Sequence, residues 1–259
     1  LNTRVVSSFV NVPRIRAGAA GGGPAHWKIA LVNLVDAITC HLFVDRFHAV
    51  TPGVASLHER AYRLSRSRIS VVERGRPAAE LGERTAERRG RVRSALGYTD
   101  ETPMVIAAGR LEHQKAHVDL ISAMRVVARE VPNAVLLIAG REGSASLAVR
   151  SELEADPTLA EHVRLLGNRD DVPDLLAAAD VMALPSRFEG TAGIALEAMA
   201  VGTPIVSTRL EGMVGILVHE RNSLIVEVGD IQAMASAITR VLSEPELGER
   251  LASQARENF

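Results

Sequence analysis

Two carboxylates with seven residues between them, Glu189 and Glu197, bracket the run Gly190-Thr191-Ala192-Gly193 in a stretch that reads as strand, loop and helix. Ile194, Ala200 and Val201 neighbour Glu197 at helical spacing, and a carboxylate among apolar residues is costly unless it finds donors. Sugar or ribose hydroxyls would be such donors; the plain alternative is pairing with an arginine or reaching solvent. Glu189 alone would serve as a charge complementing a helix N-terminus. The pair, placed across one strand-to-helix turn, favours a ligand. The small residues between them leave the helix-start amides unshielded, so a phosphate can dock on N–H groups at a positive dipole end. A second loop, Gly109-Arg110-Leu111-Glu112-His113-Gln114-Lys115-Ala116, supplies a guanidinium for bidentate phosphate contact and an ammonium point charge.

These loops need a scaffold that brings them to one edge. From Thr102 onward, short apolar runs alternate with amphipathic helix-length segments, the pattern of a parallel sheet covered on both faces. Strands are expected at Met104–Ala108, Ala134–Ala139, Val163–Leu166, Val181–Leu184, Pro204–Ser207 and Ser223–Val226. His117–Val131 reads as a helix with Leu120, Ile121, Met124, Val127 and Val131 on one face, stopping before Pro132. Asp170 or Asp171 is placed to cap the next short helix, and Gly202 with Pro204 ends the helix carrying Glu197. In such sheets ligands bind at the carboxyl ends of the strands, where both loops fall.

The first hundred residues read as about half of another α/β domain: a strand over Arg4–Phe9, a glycine-rich loop over Gly18–Pro24, a helix from His26 to about Leu42, and strands at Phe47–Val50 and Ile69–Val72. Leu1 stands where a start methionine would be, which points to a fragment. Arg60 to Arg93 holds eleven arginines against four glutamates with no apolar periodicity after Val72. That stretch reads as a solvated connection, with contact to an acidic acceptor or membrane surface as its second reading. The expected division is residues 1–76 as a partial first domain, 77–101 as a linker and 102–259 as the second domain.

Composition narrows the classes. With 47% hydrophobic and 24% charged residues and a formal net charge of -1, the chain has no overall pull toward nucleic acid. Cys40 is the only cysteine, so neither an internal disulfide nor a paired-cysteine zinc site is available. No apolar run reaches a membrane span; Asn33, Asp36 and His41 interrupt the longest. A cytoplasmic location fits, with the inner face of a membrane as an option. Only Lys28 and Lys115 of the thirty basic residues are lysines, which draws attention to Lys115. His41 and His48 read as structural, and His113 lies within the basic loop.

From Val105 to Asn258 the sequence resembles the nucleotide-binding C-terminal domain of family 4 retaining glycosyltransferases, through Gly109-Arg110-Leu111…Lys115 and the pair Glu189 and Glu197. Asp45–Arg76 resembles the end of that family's N-terminal domain. The resemblance implies a GT-B fold of two Rossmann-like domains, the first incomplete here. It implies sugar transfer with retained configuration from a nucleoside diphosphate sugar to an acceptor not identified by the sequence. Arg110 and Lys115 would stabilise the leaving diphosphate, Glu189 would face the donor sugar, and Glu197 would bind the ribose. Gly109 and the amides of Thr191, Ala192 and Gly193 would lie near phosphate or sugar, with Asn168 and Arg169 beside the nucleobase. Neither a metal nor a resident cofactor is expected.

Three positions depart from the family pattern. Ala116 replaces the usual glycine after the lysine, Glu211-Gly212-Met213 replaces a two-glycine loop, and Arg4–Asn11 offers no catalytic histidine, His26 being displaced. No first-domain catalytic residue is nominated. Gly140 would allow close approach at the next strand end. The rival readings are a nucleotide-sugar epimerase of the same fold and a nucleotide-sugar-binding fragment without turnover. A nicotinamide dehydrogenase is disfavoured because the turn at Gly109 lacks three-glycine spacing.

Overall fold

The computed structural model describes residues 4–13, 26–73, 75 and 77–259. Two compact units emerge: the first is Leu1–Arg74 with Phe188–Thr191 and Glu211–Gly215, the second Gly75–Arg187, Ala192–Leu210 and Ile216–Phe259. The glycine-rich loop expected at 18–24 lies outside the described residues.

In the first unit, β1 (Val6–Phe9), β2 (Arg46–Ala49) and β3 (Ile69–Val71) form a parallel sheet in that order, joined by α1 (His26–Leu42) and α2 (Pro52–Tyr62). The expected strands are present; the first and third are shorter, losing Arg4, Val5 and Val72, and the second is shifted back by one residue, leaving Val50 outside. Phe9 stacks on Phe47 with ring centroids 4.8 Å apart and on His58 at 3.8 Å, over a core of Val54, Ala55, Tyr62 and Ile69. Burial lowers the pKa of His58, whose ring also bonds the Val54 carbonyl. α1 turns Leu34, Ile38 and Leu42 outward. Thr51, extended at φ −149°, caps α2: its hydroxyl accepts the Val54 N–H at 3.1 Å and Pro52 takes the first turn, where no N–H is needed.

The second unit opens with α3 (Ala78–Leu81) and α4 (Ala86–Leu96), then continues through β4 (Met104–Ala108), α5 (His117–Glu130), β5 (Val135–Ala139), α6 (Ser146–Glu154) and β6 (Val163–Gly167). It closes with α7 (Val172–Ala178), β7 (Val181–Leu184), α8 (Gly193–Val201), β8 (Ile205–Thr208), β9 (Leu224–Val226), α9 (Ile231–Ser243) and α10 (Pro245–Glu257). Six parallel strands run β6-β5-β4-β7-β8-β9, so the strand order reverses between β4 and β7. Each strand matches its sequence expectation to within a residue. Leu120, Ile121, Met124 and Val127 of α5 are buried against the sheet, and the helix ends one residue before Val131. Gly202 ends α8 in the left-handed region at φ 88°, its N–H bonded to the Ala198 carbonyl.

Two readings need correction. Asp171 stands at the N-cap position of α7, yet its carboxylate makes no capping bond there; Arg169 takes it at 2.8 and 2.5 Å, outcompeting the helix amides. The stretch 77–101, expected to be a solvated connection, contains α4, begun by a Thr85 cap and ended by left-handed Gly97. Arg93 on α4 is 0% exposed and donates to the carbonyls of Ala178, Thr99, Asp100 and Thr102 and to Asp180. Asp180 also accepts the Met104 N–H at 2.8 Å and pairs with Arg89 at 2.8 Å. A guanidinium can be buried when its nitrogens find oxygens, and here all three do. Among the described residues no helix is long and apolar enough to cross a membrane.

Removing Arg93 would take one charged donor from Asp180, which keeps Met104 N–H and Arg89, and from each of four carbonyls. Arg93→Met should lower unfolding free energy by about 3–5 kcal/mol in a urea titration, far beyond an exposed arginine such as Arg91. Equal effects at the two positions would contradict a structural Arg93.

Candidate functional site

In a doubly wound sheet, the crevice beyond the carboxyl ends of the strands where their order reverses is the place for a ligand, here between β4 and β7. The β4–α5 loop, 109–116, is held at this edge by backbone bonds: Gly109 N–H to Ala139 O at 2.8 Å, Leu111 N–H to Arg141 O at 2.9 Å and Ala145 N–H to Leu111 O at 2.7 Å. Gly140 permits the approach, since a Cβ there would lie 1.8 Å from the Gly109 carbonyl oxygen. Lys115 ends a 3-10 turn, and its stem lies over Gly109, 3.3 Å from where a Cβ would be. Arg110 points elsewhere. Its side chain is 62% exposed and pairs with Glu112 at 3.2 Å. Glu112 in turn accepts from the Ser144 hydroxyl, the main reason its carboxyl titrates below the usual range.

From β7 the chain passes Pro185-Ser186-Arg187. Arg187 fastens this segment to the other loop, donating its N–H to Gln114 O at 2.8 Å and pairing with Asp119 at 2.9 Å. Ser186 is held by its carbonyl, which accepts from the Thr208 hydroxyl. α8 then begins at Gly193 with Ala192 at its N-cap position and no side-chain cap; of its first-turn amides, Ala195 N–H bonds the Ala192 carbonyl at 2.9 Å. Glu197, one turn on, is 9% exposed and is not without a partner.

Three buried polar atoms in these loops have no hydrogen-bond partner: His117 Nδ1 at the start of α5, Ser186 Oγ after β7, and Thr191 Oγ1 before α8. Such atoms are rare because each carries a desolvation cost. None was singled out from the sequence as an orphan; burial decides this, and burial is not a property of residue type.

The site residues named from the sequence divide as follows. Gly109, Lys115, Ala192, Gly193 and Glu197 belong to loops and a helix at the β4–β7 carboxyl edge. Asn168 and Arg169 follow β6, two strands from β4, which is roughly 10 Å at the usual interstrand spacing, and Arg169 is already paired to Asp171. Glu189, 7% exposed, and Thr191 are grouped with the first unit. Among the described residues no group of three or more His, Cys, Asp or Glu side chains is arranged to hold a metal.

Comparison with known proteins places this architecture. The family model described as "Glycosyl transferases group 1" matches residues 89–258. The chain belongs to the group 1 glycosyl transferases. It is 32% identical over 193 residues to a D-inositol 3-phosphate glycosyltransferase of Corynebacterium urealyticum, covering 72% of this chain and 46% of that protein. It is 34% identical over 167 residues to the lipopolysaccharide core biosynthesis glycosyltransferase LpsE of Rhizobium meliloti, covering 64% and 47%. The chain thus spans about half the length of these relatives. Among solved structures, Anabaena Alr3699/HepE in complex with UDP and glucose superposes with a TM-score of 0.81 at 20% identity, over 98% of this chain and 66% of that one. The fold is the GT-B fold of glycosyltransferases, in the part this chain covers.

Ala116, where a glycine was expected, has left-handed backbone at φ 50°, ψ 38°. That conformation costs an L-residue about 1–2 kcal/mol, partly offset by glycine's greater freedom in the unfolded chain. Ala116→Gly should therefore raise stability by about 0.5–1 kcal/mol, or about 1–4 °C in melting temperature; a lower melting temperature would show that the methyl group contributes packing instead.

His117 is 2% exposed, and burial first, then the Lys115 charge, pushes its pKa down to about 4 from 6.5. The unfolded chain therefore takes up this proton first, so the stability that neutral His117 contributes is present above pH 6.5 and lost as pH falls toward 4. The loss amounts to about 1.4 kcal/mol per pH unit across that window. His117→Phe should flatten that part of the melting temperature against pH curve; an unchanged slope would mean the ring is protonated in the folded state.

Proposed function

We propose that this chain is the donor-binding part of a retaining, family 4 glycosyltransferase, taking a nucleoside diphosphate sugar and passing the sugar to an acceptor still to be identified. The observation that carries the reading is the uncapped start of α8 at the strand-order reversal, with the buried Ser186 hydroxyl unpartnered beside it in the chain and Glu197 buried one turn further on. A phosphate satisfies helix-start amides, and ribose hydroxyls suit a buried carboxylate. The complexes of Alr3699/HepE with UDP and UDP-glucose support a nucleotide-sugar donor by likeness of fold.

In this reading the bond between the anomeric carbon and the diphosphate oxygen breaks while a bond to an acceptor oxygen forms, and the acceptor proton is released. Charge grows on the diphosphate. Lys115 and the α8 amides are built to stabilise it, and Arg110 joins by exchanging its Glu112 partner for phosphate oxygen. Glu197 holds the ribose and Glu189 the donor sugar, which fixes the reacting bond in place. The C. urealyticum and R. meliloti relatives are both named glycosyltransferases, which does not favour an epimerase.

Calorimetric titration of the chain with UDP, GDP and ADP tests this directly. One of the three should bind saturably, and Glu197→Ala and Lys115→Ala should each weaken it at least about tenfold, the loss expected for a charge-assisted contact. Binding of a nucleotide sugar with neither transfer nor hydrolysis would instead favour a fragment that binds without turnover. No binding of any nucleotide would overturn the donor site.

A further inference from the structure

The turn Glu211-Gly212-Met213, which departs from the family's two-glycine loop, is built into the first unit together with the loop that carries Glu189. Four backbone segments meet there at distances only glycine allows. A Cβ on Gly190 would lie 2.1 Å from the Val10 carbonyl oxygen; one on Gly212 would lie 2.2 Å from the carbonyl oxygens of both Glu189 and Gly190; one on Gly53 would lie 2.4 Å from that of Glu211. The end of β1, the start of α2, the 188–191 loop and the 211–213 turn are therefore in backbone contact.

One side chain ties the set together. Thr51 is 0% exposed, and its hydroxyl oxygen accepts the Val54 N–H while its single proton goes to the Gly212 carbonyl at 2.7 Å. Both capacities of that hydroxyl are used, one for the helix and one for the turn. Gly212 in turn sits against the carbonyls of Glu189 and Gly190.

We propose that Thr51 is a positioning residue for Glu189: its hydroxyl anchors the Gly212 turn, and that turn sets the backbone on which Glu189 stands. The inference rests on the proposed role of Glu189 toward the donor sugar. With the nucleotide assigned to Lys115, the α8 amides and Glu197, and only the sugar to Glu189, the Thr51 anchor affects the grip on the sugar and not the grip on the nucleotide.

Three variants separate the anchor from the helix cap. Thr51→Asp keeps an acceptor for Val54 N–H but has no proton for Gly212 O; Thr51→Val loses both and adds no charge; Thr51→Ser keeps both. Amide hydrogen exchange should speed up about tenfold, the effect of one buried hydrogen bond, over 188–191 and 211–214 in the Asp and Val variants, and return to wild type with Ser, while 105–116 is unchanged in all. Affinity for UDP-glucose should fall about tenfold against that for UDP in Asp and Val and recover in Ser; the GDP or ADP pair is used if the titration above selects that base. Unchanged exchange in both variants overturns the anchor. Faster exchange with an unchanged sugar-nucleotide to nucleotide ratio overturns its role toward the sugar. A wild-type chain that binds no nucleoside diphosphate refutes the donor reading, and the exchange experiment still decides whether Thr51 sets the loop.

Discussion

Asp180 is the carboxylate on which the second unit is organised. It stands just before β7, accepts the backbone N–H of Met104 at the start of β4, and gathers Arg93, Arg89 and, more distantly, Arg84 at 3.6 Å. The backbone bond from Asp180 N–H to the Met104 carbonyl completes the junction. These two strands are the pair at which the sheet order reverses, so their amino ends are pinned by one charged cluster while their carboxyl ends diverge into the loops that hold Lys115 and Glu197. Desolvation lowers the pKa of both Arg93 and Arg84, and Asp180 opposes it in each.

How much of this was legible depended on the distance over which each interaction acts. β4 and β7 could be read because each is a short apolar run between polar loops, a local property. The placement of the Gly109 loop and of Glu197 at the carboxyl edge followed from strand–helix alternation, equally local. Arg93 could not be read this way: its partner Asp180 is 87 residues away, and eleven arginines in one stretch obscure the one that is buried. The punctuation of α4 was there, with Thr85 before the helix and Gly97 after it, but its interior has no apolar stripe to reinforce the signal. Asp171 failed for a different reason, since an arginine two residues away competes for the same oxygens that a cap would use.

Glycine was partly legible too. Gly140 was expected to permit a close approach, and it does, against Gly109. Gly190 read as a small residue that leaves helix-start amides unshielded and Gly212 as part of a loop, although the backbones of four segments meet over them. The departure from a two-glycine loop at 211–213 keeps the one glycine that the contact with Glu189 and Gly190 requires.

The make-up of the first unit has a consequence for how the chain is born. Segments 188–191 and 211–215 belong to it as much as its own sheet does. On a ribosome, residues 4–74 emerge long before those segments exist, and at about 5–20 residues per second the wait is on the order of ten seconds. During that interval β1 and the start of α2 have no Gly190 or Gly212 to pack against. The second unit's central strands, Met104–Ala108 through Val181–Leu184, are synthesised meanwhile. Residues 4–74 thus wait for segments that lie more than a hundred residues further along the chain.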